Sequence, residues 1–334
     1  MMKKKNYLFS IAMLLLLALF LVACGGTEDA DTEGDAEGED KGETPEFISM
    51  LTGGTSGTYY PLGGAMAKII TDETGIQTDA VSSNASADNV IALQEEEAEI
   101  AFVQTDVVAN AIDGVNAFDG NPVDNVLALG SLYPETIQIV TTDKAGIESV
   151  EDLEGKTVSV GAPGSGTYIN AEQILEVHGM TMDDIDAQNL DFGESTGGIQ
   201  DGNIDAAFIT AGTPTGAVEG LSATEDVSIV PVEADKTEEL VEKHPYYAAD
   251  TVPEGTYGLE EDVDTVAVLA MLAVTDNISE EAVYDITKAI YENTDQISHA
   301  KGELITLESA LDGIGIDLHP GAKKYFDEEG IEAE

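Results

Sequence analysis

The tetrapeptide Ser-Gly-Thr-Tyr occurs twice, at Ser56-Gly57-Thr58-Tyr59 and at Ser165-Gly166-Thr167-Tyr168, and each copy stands between a strand pattern and a helix pattern. In the first half, Phe47 to Leu51 reads as a strand, the glycine-rich Thr52 to Thr58 as a loop, and Tyr60 to Thr71 as an amphipathic helix with Leu62, Met66, Ile69 and Ile70 on one face. In the second half, Lys156 to Gly161 reads as a strand, Ala162 to Gly166 as a loop, and Thr167 to His178 as a helix carrying Ile169, Ile174, Leu175 and Val177. The echo continues downstream, where Glu99 to Gln104 (EIAFVQ) and Ile204 to Thr210 (IDAAFIT) share one strand pattern. A chain that runs twice through the same plan is predicted to form two similar α/β lobes with largely parallel sheets covered on both faces.

Between and after these halves lie two longer apolar strands, Val126 to Thr142 and Thr265 to Thr275. They are expected to cross between lobes, giving one lobe from residues 47–140 with 266–334 and another from 141–265. Ala80 to Ser82 reads as a strand, Ser86 as the cap of the helix carrying Val90, Ile91 and Leu93, and Val150 to Leu153 as a short helix. Ser279 to Asn293 is a helix with its own cap at Ser279 and an apolar face of Val283, Ile286 and Ile290.

The paired turns also carry the chemistry. Glycines let the backbone approach a ligand, hydroxyls add adjustable donors, and the helix that follows presents the positive end of its dipole. Gly54, Thr55, Ser56, Gly57, Thr58 and Tyr59 from the first loop, with Gly164, Ser165, Gly166 and Thr167 from the second, are therefore predicted to cradle an anion. All 13 basic residues are lysine, so the bidentate arginine clamp on a carboxylate is impossible here. Further candidates stand at strand ends: Ser82, Ser83, Asn84 and Ser86; Gln104, Thr105 and Asp106; and Thr210, Ala211, Gly212 and Thr213. Tyr59, Tyr168 and Tyr257 are candidates for the walls of the same cleft.

Enzyme signatures are missing. Gly155-Lys156-Thr157 ends like a phosphate-binding loop, yet Val150 stands where its first glycine belongs and a strand pattern follows. No nucleophile elbow is present, and His178, His244, His299 and His319 lack metal-ligand spacing. Neither cofactor nor metal is expected. Ser56 and Ser165 are the only residues on which an extracellular hydrolase could be built, a weaker alternative than ligand sensing for a membrane receptor.

At the N-terminus, Lys3 to Lys5 precede an apolar run from Tyr7 to Ala23, which ends in Leu21-Val22-Ala23-Cys24-Gly25. This reads as a lipoprotein signal over residues 1–23, with Cys24, the one cysteine of the chain, as the lipidated residue. The alternative is an uncleaved anchor, since about 17 apolar residues approach the lower limit for a spanning helix. Either way the bulk of the protein is extracytoplasmic. Residues 24–46 lack apolar clusters and read as an acidic tether, with order beginning near Phe47.

The stretch Phe47 to Gly64, together with EIAFVQTD, KTVSVGAPGSGT, IDAAFITAGTPT and the terminal LHPGAKKYF, resembles the TAXI family of TRAP-transporter solute receptors. The resemblance implies a two-lobed α/β fold like that of periplasmic binding proteins of type II, closure on a ligand, and delivery to TRAP membrane subunits driven by an ion gradient. The ligands it implies are glutamate, glutamine or related dicarboxylates, with Gly54, Thr55, Ser56, Tyr59, Ser83, Gln104, Ser165 and Thr167 lining the pocket. The lipobox departs from the freely soluble members and implies tethering through Cys24.

Acidic residues number 66 and the net charge is −53, which argues against nucleic acid and anionic membranes as partners. A surface of this kind suits high salt, where a Debye length of about 3 Å at 1 M suppresses self-repulsion. The melting temperature is therefore expected to rise between low and molar salt. A flat or falling curve would remove the halophilic reading.

Overall fold

Ten strands and nine helices are described in residues 42–332 of the computed structural model. The predicted signal segment and Cys24 lie outside the described residues. The strands form one sheet in the order β2-β1-β3-β10-β4-β7-β5-β6, with β8 added to β4 and β9 to β10. On one side stand β1 (Phe47–Leu51), β2 (Gln77–Val81) and β3 (Ile100–Gln104), all parallel. On the other stand β5 (Thr157–Ser159), β6 (Asp186–Gln188) and β7 (Ala206–Ala211), also parallel.

Between these triplets run the two long strands, β4 (Val126–Thr142) and β10 (Val263–Thr275), antiparallel to each other and to their neighbours. The expectation of a largely parallel sheet is thus corrected. The alternating strands and helices produce the two parallel triplets, but a strand that crosses from one to the other and one that returns must run in opposite directions. Both change partners along their length. β4 pairs with β10 up to Thr136 and with β7 and β8 (Val227–Val230) from there on. β10 pairs with β9 (Ala248–Val252) through Val263 to Ala267 and with β3 from Ala270.

Both faces of each triplet are covered, which explains why β3 and β7 read as unbroken apolar runs. Side chains alternate in a strand, so Phe102 and Ile100 of β3 join a core with Ile48, Leu62 and Met66, while Ala101 and Val103 join another with Val90, Leu93 and Val107. In β7, Ala206 and Phe208 face one core with Val158 and Ile174, and Ala207 and Ile209 face the other with Val218. The change of core along β4 falls between Tyr133, packed with the first half, and Ile137, packed with the second.

Helices α1 (Tyr59–Thr74), α2 (Ser86–Gln94) and α3 (Thr105–Asp113) follow β1, β2 and β3. In the same way α4 (Gly166–Val177), α5 (Phe192–Gln200) and α6 (Gly216–Ser222) follow β5, β6 and β7. Then come α7 (Ala234–Lys243), α8 (Glu280–Glu292) and α9 (Pro320–Glu329). His319 and Pro320 start α9: the imidazole Nδ1 accepts the Gly321 amide at 3.2 Å, and proline fills the first position, where no donor is needed. That part of the C-terminal motif is a helix start.

Two sequence expectations change here. Ser86 is the first residue of α2 and not its cap, because its hydroxyl turns inward to accept the Gln104 amide at 3.2 Å. Order begins before Phe47, since the Glu43 amide donates to Asn277 O and the Glu43 carbonyl accepts from Ser279 at 3.1 Å. A short backbone bridge, which composition does not report, ties this segment to the start of α8. Ser279 caps α8 as expected, accepting the Ala282 amide at 3.2 Å, and also meets Thr44 Oγ1 at 3.0 Å. Ser279→Ala is expected to cost about 1 kcal/mol in urea unfolding. A loss near zero would show that the cap is idle.

Candidate functional site

Parallel strands of an α/β sheet place ligands beyond their carboxyl ends, and here the carboxyl ends of both triplets meet around one cavity of about 330 Å³. From the first triplet it is lined by Gly54, Thr55, Gly57, Thr58 and Tyr59 after β1, Ser82, Ser83, Asn84 and Ser86 after β2, and Gln104 at the end of β3. From the second it is lined by Ala162, Ser165, Gly166 and Thr167 after β5, Asp191 and Phe192 after β6, and Thr210 and Ala211 in β7. The volume suits a small metabolite. Of the predicted loop and strand-end residues, Ser56, Thr105, Asp106, Gly164, Gly212 and Thr213 lie outside the lining.

The two Ser-Gly-Thr-Tyr turns enter their helices in different registers. In the second, Ser165 is the cap, its Oγ accepting the Tyr168 amide at 3.4 Å, and Gly166 already belongs to α4. In the first, the helix begins only at Tyr59, and Thr58 makes no side-chain cap because its hydroxyl donates to Gly212 O, 3.2 Å away in the other half. The first amides of both helices have no partner within the helix, and Thr58, Tyr59, Ser165, Gly166 and Thr167 at those starts line the cavity.

Three of the predicted residues outside the lining join the halves through their carbonyls. Gly164 O accepts the Ala87 and Asp88 amides at 3.0 and 3.2 Å, so the start of α2 is closed by the opposite half. Ser56 O accepts the Ala217 amide at 3.1 Å, and Gly212 O accepts Thr58 Oγ1 as above. Thr213 has a buried hydroxyl without a partner. These residues leave the lining because the turns continue past the cavity and touch the facing half. Ala85, at φ 72° and ψ −150°, holds a backbone conformation that side chains disfavour, fixed by the Ser83 hydroxyl accepting its amide at 3.1 Å.

A buried polar hub that the sequence reading missed closes the space behind. Asn170 of α4 accepts from Gln104 Nε2 at 3.1 Å and Thr210 Oγ1 at 3.0 Å, and donates to Asp106 Oδ2 at 3.0 Å and Tyr247 Oη at 2.8 Å. Gln104 Oε1 remains without a partner while Gln104 is 3 % exposed. A Cβ added at Gly166 would overlap that oxygen and displace the Gln104 amide group. The walls proposed for Tyr168 and Tyr257 are corrected. Tyr168 packs against the core of the second half, and Tyr257 donates to Gln138 Oε1 at 2.6 Å beside a separate groove.

The second missed residue is Glu135. It sits in β4 where that strand passes between halves, is 2 % exposed and borders the cavity. Its Oε2 accepts the Tyr59 hydroxyl at 2.6 Å, and Tyr59 is held in turn against the Phe102 ring at 5.0 Å between centroids. Burial is the main cause that pushes the Glu135 carboxyl up to about 8; the Tyr59 hydrogen bond opposes it, Asp106 adds to it, and the ammonium of Lys301 opposes it. Asp106 is itself pushed up to about 6, chiefly by burial. A signal was present in the sequence: Glu135 is the one charged residue in the 17-residue strand VLALGSLYPETIQIVTT.

A sheet crossed by two shared strands, with a cavity where its two parallel sets meet, defines the two-lobed fold of periplasmic binding proteins. The same fold appears in a protein of Bordetella bronchiseptica (TM-score 0.52, 17 % identity, covering 85 % of this chain and 82 % of that one). It appears in the alkanesulfonate-binding protein SsuA of Xanthomonas axonopodis pv. citri bound to MOPS (0.50, 12 %, 85 % and 84 %). It also appears in PhnD1 of Prochlorococcus marinus in complex with methylphosphonate (0.51, 9 %, 86 % and 97 %). Residues 50–330 match the model of the NMT1-like family, and the chain belongs to that family.

The raised Glu135 carboxyl makes a stability prediction with a definite sign. Between the ordinary value of 4.5 and about 8, the unfolded chain gives up this proton while the folded protein keeps it. The wild type therefore loses stability relative to Glu135→Gln as pH rises through that window. Melting curves of both proteins should diverge from pH 5 to 8 in favour of the variant and run parallel outside it. A constant offset would mean that Glu135 titrates normally.

Proposed function

We propose that the chain is an extracytoplasmic solute receptor that closes two lobes around a small carboxylate, such as glutamate, glutamine or a dicarboxylate, and passes it to a TRAP-type membrane transporter. The observation that carries this reading is one cavity bordered by a helix start from each half, an arrangement that offers donors to an anion without a lining lysine. The binding-protein fold and the NMT1-like family are consistent with it. No enzyme activity is proposed, because Ser165 Oγ is engaged as a helix cap and Ser56 lies outside the cavity lining.

The TRAP route rests on the TAXI-like motifs, and the lipid anchor on Cys24. Among the described residues no helix is long and apolar enough to cross a membrane. The lobes are assigned to residues 47–140 with 266–334 and to 141–265, with β4 and β10 as the bending strands. Ligand binding would favour closure by its greater affinity for the closed form. The hydrogen bonds across the cavity rim, from Ala87 and Asp88 to Gly164 and from Ala217 to Ser56, correspond to that form.

A second reading replaces the carboxylate with a sulfonate or phosphonate, as in the SsuA and PhnD1 complexes. Titration calorimetry with small carboxylates, methylphosphonate and ethanesulfonate separates the two. Gly166→Ala should weaken the ligand that binds by at least about tenfold, because the new methyl group forces Gln104 away at the joint between halves. Equal binding by wild type and variant would place the ligand elsewhere.

A further inference from the structure

The cavity lining contains two carboxyl groups, Glu135 and Asp191, and no lysine or histidine. Asp191 is occupied as the cap of α5, accepting the Glu194 amide at 2.8 Å. Glu135 is different. Tyr59 takes its Oε2, and among the described residues no protein donor takes Oε1. It is the buried acid of a site whose remaining polar lining, Asp191 apart, is made of hydroxyls, amides and helix starts suited to an anion.

A second negative group beside an ionised Glu135 would be repelled at short range in a space from which water is excluded. An ammonium beside it would instead form a charge-assisted hydrogen bond. We propose that Glu135 is the specificity residue of the cavity and selects zwitterions, small acids that also carry an ammonium group, with the anionic end at the helix starts and the ammonium at Glu135. This rests on the reading of the cavity as a carboxylate site, and it separates amino acids from simple dicarboxylates within that reading.

The groups that face Glu135 come from several elements. Tyr59 of α1 donates to it, Tyr133 lies two residues away on the same strand, Asp106 of α3 disfavours its charge, and Lys301 of the short helix Ala300–Leu304 favours it. Lys301 is drawn the same way by Asp250. The ammonium of Lys301 makes no ion pair within 4.0 Å among the described residues, so it assists from a distance and leaves the carboxylate uncompensated. Burial pushes the Glu135 carboxyl up to about 8 in the free protein. A ligand ammonium would favour the ionised form, and the proton would pass to the buffer.

The test is titration calorimetry at pH 7.5 in Tris and in imidazole, two buffers of different ionisation enthalpy that add no sulfonate or phosphate. The probes are L-amino acids, each paired with its 2-oxo acid, including L-glutamate with 2-oxoglutarate. The amino acid of the best pair should bind at least about tenfold more tightly than its partner, the step expected of one charge-assisted contact, and its binding should release a proton. In Glu135→Gln the preference and the proton release should both disappear, while the 2-oxo acid keeps its affinity. Glu135→Asp should keep the preference in part.

Tighter binding of the 2-oxo acid by the wild type, amino acid binding without proton release, or an unchanged preference in Glu135→Gln would overturn the inference and leave the carboxylate reading standing. Failure of every carboxylate to bind the wild type would overturn the carboxylate reading itself, and this inference with it. The wild-type proton count decides the matter even if the glutamine variant does not fold.

Discussion

Strands β4 and β10 each belong to two halves of the molecule, and this double membership is the constraint on which the site depends. Because β4 exchanges β10 for β7 near Thr136, the residues just before the exchange sit between two cores. Glu135 occupies that position. A carboxyl group there is buried, which pushes its titration up, and its hydrogen bond to Tyr59 ties it to the start of α1. The crossing strands therefore carry both the mechanical joint and the most perturbed acid facing the cavity.

Backbone amides can meet a ligand only at close approach, and the glycines of both turns leave room for it. The same closeness fixes which residues face the cavity and which face the opposite half. Thr58 and Gly164 show the division most clearly, for a hydroxyl and a carbonyl that could have met a ligand instead meet Gly212 and the start of α2. A closed arrangement built this way depends on small atoms at its contact points. Gly166 against Gln104 is the tightest of these, and it joins α4 to β3 across the cavity.

The two strand, loop and helix units, the long crossing strands and the approach of both Ser-Gly-Thr-Tyr turns to one cavity were legible in the sequence, because each depends on local periodicity and on glycine placement. The sheet direction at the centre was not, since antiparallel pairing of β4 and β10 follows from how the chain returns between halves. Short strands such as β6 (DAQ) and β8 (VSIV) carry too few residues for a periodic signal. Asn170 was hidden for another reason. A polar residue in a helix gives no sign of burial until its four partners, drawn from β3, α3, β7 and the loop at Tyr247, are known to converge. Glu135 was visible as a lone charge in an apolar strand, but in a chain with 66 acidic residues a single carboxyl carries little weight.

That acidic surface and the cavity act over different distances. The field of a net charge of −53 opposes an approaching anion, but salt limits its reach to about a Debye length. Inside the cavity the nearest groups are helix amides and hydroxyls, whose dipoles act at hydrogen-bond range and are not screened by mobile ions. A ligand that is neutral overall would meet little repulsion outside and could still satisfy both the amides and Glu135 within. The two scales then favour the same chemistry: the more negative the surface, the greater the advantage of a molecule that brings its own positive charge to the buried carboxyl group bordering the cavity.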